Sequence, residues 1–71
     1  MRWNDYNDII FTKGGREYRG RYRTSKGKFP MVEVSYGWGS KAAVIHSSPP
    51  EQLARLMVLE LAAEQESAES K

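Results

Sequence analysis

Residues 16–36 read REYRGRYRTSKGKFPMVEVSY, and the alternation in this stretch decides the fold class. Successive side chains on a strand point to opposite faces, so Tyr18, Gly20 and Tyr22 share one face while Arg19, Arg21 and Arg23 share the other. One face is suited to burial and the other to water. Ser25-Lys26-Gly27 closes a hairpin in this reading, as a three-residue loop with Gly27 in the left-handed position. That loop sets Thr24 against Lys28, Gly20 against Val32, Tyr18 against Val34 and Arg19 against Glu33. Gly20 leaves room for a close approach. Pro30 has no N–H for a ladder, so a bulge or an unpaired position is expected where the next strand starts.

Upstream, residues 1–8 (MRWNDYND) form a polar lead-in with two aromatics, Trp3 and Tyr6, expected to pack loosely. Ile9–Thr12 is a short β-type run, and Gly14-Gly15 turns the chain back into a strand over Arg16–Thr24. Downstream, Gly37-Trp38-Gly39-Ser40 is a second turn. A fourth strand follows over Lys41–Ser47, with Ala43 and Ile45 on one side and Ala42, Val44 and His46 on the other. Ser48-Pro49-Pro50-Glu51 has the form of a capping box, in which Ser48 accepts from an early helical N–H, Glu51 reaches back and Pro49 takes the first helical position. The helix is predicted from Pro49 to about Gln65. The expectation is an α+β domain over residues 1–66, a four-stranded antiparallel β-meander packed on one C-terminal α-helix. Residues 67–71 are expected as a disordered tail.

Projected at roughly 100° per residue, the helix carries two apolar stripes. Leu53, Ala54, Met57, Val58 and Leu61 form one; Leu56, Leu59 and Ala63 form the other, with Glu60 and Glu64 between them. One sheet covers one stripe. The second is therefore read as a homodimer interface built on Leu56, Leu59 and Ala63, against the alternative that a curled sheet covers it or that it stays exposed.

At 71 residues the chain is one domain, near the lower limit for a core without staples, and it has no cysteine to supply a disulfide or a thiolate. No apolar run has signal-peptide or membrane-spanning length, which points to a cytoplasmic protein with no membrane partner. Charge is uneven. Residues 1–47 carry nine Lys/Arg against four Asp/Glu, a balance of +5, whereas residues 48–71 carry two against five, a balance of −3. Between Lys13 and Lys28 seven basic residues face the single Glu17. Such asymmetry sets the field that a polyanion meets.

The basic strand face is accordingly the main candidate site. Arg19, Arg21 and Arg23, with Lys26 and Lys28 at the turn and Phe29 and Met31 on the neighbouring strand, have the composition of a nucleic-acid-binding sheet: arginine takes phosphate bidentately and aromatics stack on bases. Trp38 at its turn tip either stacks on a base, anchors a partner or folds back over the sheet edge. Against this stands a solvated or protein-contacting face, with Arg19 paired to Glu33 and Arg23 stacked on Phe29. Tyr18 and Tyr22 are read as core aromatics. His46, Ser47 and Ser48 make no catalytic group, since neighbours on a strand point apart and no acid orients His46. Asp5 and Asp8 lie in no ligand cluster, so neither a metal nor another cofactor is expected.

Tyr18-Arg19-Gly20, Gly27-Lys28, Val32-Glu33-Val34 and a terminal helix together resemble the sheet-plus-helix DNA-binding modules of plant ethylene-response factors and phage-type integrase arm-binding domains. The resemblance implies a sheet in the major groove with Arg19, Arg21, Arg23 and Lys28 toward DNA, although the tryptophans such sheets carry on their second and third strands are not present here. The order of a four-stranded meander and a Pro-Glu-Gln helix start also resembles dimeric single-strand-binding transcriptional coactivators, whose helices build the dimer. Over residues 14–62 the chain is similar to short uncharacterised bacterial proteins with a Tyr-x-Gly-x-Tyr strand, a Gly-Ser-Lys turn and a Pro-Pro-Glu-x-Leu-Ala-Arg helix start, a likeness that implies no function. The expected function is a small non-enzymatic binding module that contacts nucleic acid through the basic face; the alternative is a protein-interaction or structural adaptor.

Overall fold

The computed structural model describes residues 2–46 and 49–69, and the side chains of 3–46 and 49–68. It is an α+β fold. Strands β1 (Arg2–Trp3), β2 (Asn7–Lys13), β3 (Arg16–Lys26), β4 (Met31–Tyr36) and β5 (Gly39–Val44) precede helix α1 (Pro50–Glu69). Strands β2 to β5 form an antiparallel meander, and the two-residue β1 pairs with the far end of β3. The long β3 is the spine. No helix among the described residues is long and apolar enough to cross a membrane.

Turn chemistry sets the connections. Lys13 pairs with Arg16 across Gly14 (φ 61°) and Gly15 (φ 76°), the two left-handed residues that a type I′ hairpin demands. The β4–β5 turn has two central residues, Gly37 with positive φ and then Trp38. Between β3 and β4 the sequence-based register is wrong by four residues. Thr24 faces Val32, not Lys28, and Arg23 rather than Arg19 faces Glu33. The reason is that β3 does not turn at Ser25. It runs on to Lys26, where Ser25 and Lys26 pair with Trp3 and Arg2 of β1. Buried Ser25 then accepts the Met31 N–H at 3.0 Å, and the Pro30 carbonyl accepts from Ile45 at 2.8 Å. Pro30 thus sits outside the ladder, as a residue without an N–H must.

A second departure lies in the lead-in. Trp3 pairs with Ser25 and Asn7 with Tyr22, so residues 4–6 stand opposite only Arg23 and Thr24. This is a one-residue bulge, tied down by the Asn4 N–H on the Thr24 carbonyl at 2.8 Å and by the Asn4 amide on Thr24 Oγ1 at 3.0 Å. The bulge turns Trp3 and Tyr6 onto the same face.

The core lies between one face of the sheet and α1. Ile9, Val32 and Val34 meet Ala54, Met57, Val58 and Leu61, with Phe11, Tyr18, Tyr22 and Tyr36 packed around them. The first predicted helical stripe is therefore the buried one. Full burial of Val32, Val34 and Val58 contributes about 1.5–3 kcal/mol each. Gly20 permits the close approach, since a Cβ there would stand 2.8 Å from the Ser35 carbonyl oxygen and 3.5 Å from Val58 Cγ2.

The helix starts one residue later than expected. Pro50 is its first residue, and the Pro49 carbonyl accepts from Leu53 N–H at 3.1 Å. Ser48, the predicted cap, lies outside the described residues, and Glu51 reaches forward to Arg55 at 3.0 Å. At the other end α1 continues past Gln65 to Glu69. The Gln65 amide donates to the Tyr36 carbonyl at 2.6 Å where that added turn begins, and Arg16 pairs with Glu66 within it.

Candidate functional site

The sheet face turned away from α1 carries Arg19, Arg21 and Arg23 of β3, as the alternation predicts. On β2, Ile10 faces Arg19 and Asp8 faces Arg21; on β4, Ser35 faces Arg21 and Glu33 faces Arg23. Each arginine meets a carboxylate. Arg19 Nε lies 2.6 Å from Glu17, Arg21 Nε 3.8 Å from Asp8, and Arg23 Nε 2.6 Å from Glu33. The row is therefore charge-balanced at close range, three cations against three anions, instead of a continuous positive stripe.

The three pairs differ in depth. Arg19 and Arg21 are more than two-thirds exposed, and ion pairs of that kind contribute between zero and about 1 kcal/mol. Arg23 is only 28% exposed. Its guanidinium lies 4.6 Å from the Trp3 ring centroid and 4.7 Å from that of Tyr6. Tyr6 Oη donates to the same Glu33 oxygen, at 2.8 Å, that accepts from Arg23. Arg23, Glu33, Trp3 and Tyr6 thus form one closed cluster at the bulge.

The cluster has a titration signature. The Tyr6 hydroxyl first, and then Arg23, hold the Glu33 carboxyl below its ordinary range, against the opposing effect of desolvation. The same bond to the Glu33 carboxylate, reinforced by desolvation, raises the Tyr6 phenol. Elsewhere, Lys41 is raised chiefly by its bond to Glu64, at 2.7 Å, with Glu60 at 3.5 Å.

The other predicted binding residues do not converge on this row. Lys26, Lys28 and Phe29 sit where β3 leads into β4, and Trp38 sits on the β4–β5 turn, so the length of β4, roughly 20 Å, separates them. Phe29 is 66% exposed, so the expected stack of Arg23 on Phe29 gives way to one on Trp3 and Tyr6. Trp38, at 70%, does not fold back over the sheet. Among the described residues Lys26 and Lys28 have no carboxylate partner. Between the arginines, Ile10 is 57% exposed and lines a shallow hollow of about 270 Å³ with Asp8, Arg19, Gly20 and Arg21. Ala42 and Val44 of β5 are exposed on the same face.

On the helix, Leu56 and Ala63 are exposed and Leu59 is half-buried. Leu56 and Leu59 join Leu53, Phe11 and Thr12 along a groove of about 550 Å³ that runs beside β2. Phe11 stacks on Tyr18 at 5.3 Å between centroids, and Arg55 lies 5.9 Å from the Phe11 ring.

The residues that the sequence reading missed are Trp3 and Tyr6. Their phase relative to Arg23 depends on the bulge, and no local motif announces one.

Compared with family models, with curated proteins and with solved structures, the chain finds no match. A functional reading rests on its own residues.

Proposed function

We propose that the chain is a small, cytoplasmic, non-enzymatic protein-interaction module. It presents the uncovered sheet face to a partner and acts as a homodimer through the Leu56–Leu59 flank of α1. One observation carries the reading: every arginine of the predicted nucleic-acid row is already matched by a carboxylate on the same face, with exposed Ile10, Ala42 and Val44 among them. A polyanion gains most from uncompensated cations and releases counterions from them. A charge-balanced face with apolar residues has the make-up of a protein contact surface.

A second reading, nucleic-acid binding, draws on a different place. Among the described residues Lys26 and Lys28 have no carboxylate partner, and they stand beside exposed Phe29. An NMR titration with short single- and double-stranded DNA and RNA, at low and at physiological salt, separates the two. On the protein-contact reading, Arg19, Arg21, Arg23 and Trp38 stay in place even at low salt, and only the Lys26–Phe29 loop responds weakly. Joint, salt-sensitive shifts of the three arginines with Phe29 and Trp38 would transfer the function to nucleic acid.

A further inference from the structure

We infer that two copies of the chain join through the open edge of β2, pairing about Ile10 to make one continuous sheet across the homodimer. The inference rests on the homodimeric reading and names the surface that builds it.

The first ground is the state of the edge. Among the described residues β2 pairs only with β3, which leaves its other side open. Lys13 and Arg16 flank a two-residue turn and exchange both of their ladder bonds; counting back in steps of two, Phe11, Ile9 and Asn7 aim their backbone groups at β3. Asp8, Ile10 and Thr12 then aim theirs outward. Proteins usually blunt such an edge with proline, a bulge or an inward-pointing charge. The opposite edge, β5, has that protection in Lys41, which points toward the helix and is clasped by Glu60 and Glu64. From Asp8 to Thr12, β2 has none.

The second ground is self-complementarity. Antiparallel pairing centred on Ile10 sets Ile10 against its own copy, Ile9 against Phe11, Asp8 against Thr12 and Asn7 against Lys13. All three outward-aimed residues find partners, and no like charges meet. The two Ile10 side chains, each 57% exposed alone, cover one another. Since opposed residues share a face, both helices come to lie on the same side of the joined sheet. A register centred half a residue away would oppose core-facing to solvent-facing side chains, and one centred on Ile9 or Phe11 would set Thr12 or Asp8 opposite a residue outside β2.

The third ground is position. The groove lined by Phe11, Leu56 and Leu59 flanks this same strand, so the two-fold axis turns the two grooves toward each other. Backbone pairing and apolar burial fall on one side of the molecule. The outer face, with its arginine row, is left doubled and free.

The test follows amide exchange by NMR together with sedimentation equilibrium on the full chain, from micromolar to millimolar concentration. The expected result is a dimer in which the Asp8, Ile10 and Thr12 amides gain at least roughly tenfold protection as concentration rises, as newly bonded edge amides should. Ile10→Pro removes one outward N–H and spares the β3 ladder; it should weaken dimerisation by at least about tenfold. Should that variant not fold, Ile10→Lys, which keeps the backbone donor and places two charges face to face, is expected to weaken it as well. A dimer whose three amides exchange as fast as in dilute solution overturns the edge pairing and leaves the helix-flank dimer standing. A chain that stays monomeric at millimolar concentration overturns both.

Discussion

The two faces of the sheet are held by different physics. The face under α1 is apolar and closed: Ile9, Val32 and Val34 pack against Met57, Val58 and Leu61. The opposite face is held by paired charges and by one guanidinium set between two rings. Burial is non-directional, so the covered face contributes most of the stability but is indifferent to small slips along the strand. A slip of four residues keeps every side chain on its own face. The covered face decides that the chain folds; the open face helps decide in which register.

That contrast can be broken most strongly from the covered side. Leu61→Ala opens a hole between helix and sheet, with an expected loss of about 2–5 kcal/mol, measured by urea unfolding. In a domain of this size the loss is most of the total. Gly20→Ala comes next. Its methyl would press on the Ser35 carbonyl, which is backbone and cannot swing aside, and about 1–3 kcal/mol should be lost.

On the open face the arginines should part company. Arg23→Ala removes the Glu33 pair and both ring contacts, with an expected cost of about 1–2 kcal/mol, while Arg19→Ala should stay within about 0.5 kcal/mol. Equal costs in a melting comparison would mean that Trp3 and Tyr6 do not hold Arg23. The smallest effect is in pH. Because the folded-state pKa of Glu33 is lowered, its contribution is fully present above the ordinary glutamate value and is lost as pH falls through the lowered one. Glu33→Gln should therefore flatten the acid limb of a stability profile between pH 6 and 3 and leave the neutral limb unchanged in slope. An unchanged acid limb would show that Glu33 carries no share of it.

The α+β class was legible because Tyr18, Gly20 and Tyr22 alternate with Arg19, Arg21 and Arg23, and because Leu53–Leu61 repeats at helical spacing. The register was not, for a specific reason. Glu33 meets an arginine whether the strands pair as expected or as observed, since Arg19 and Arg23 are four apart on one face. Neither the apolar pattern nor the ion pair distinguishes the two alignments. What distinguishes them is Trp3 and Tyr6, delivered by the bulge at residues 4–6, and the Ser25 hydroxyl that accepts from Met31. These contacts join residues 6 to 20 positions apart, beyond the reach of periodicity. The candidate binding row was equally legible as a set of positions, but its neutralisation was hidden, because Asp8 reaches Arg21 only across the β2–β3 ladder.

All five strands precede α1 in the chain, and α1 supplies one wall of the core. During synthesis the sheet is therefore complete in sequence before anything exists to cover it. At about 5–20 residues per second, the 20 residues of the helix take about 1–4 s to make. For that interval Ile9, Val32 and Val34 have no roof, so the apolar face of the sheet stays open to water until the helix is made.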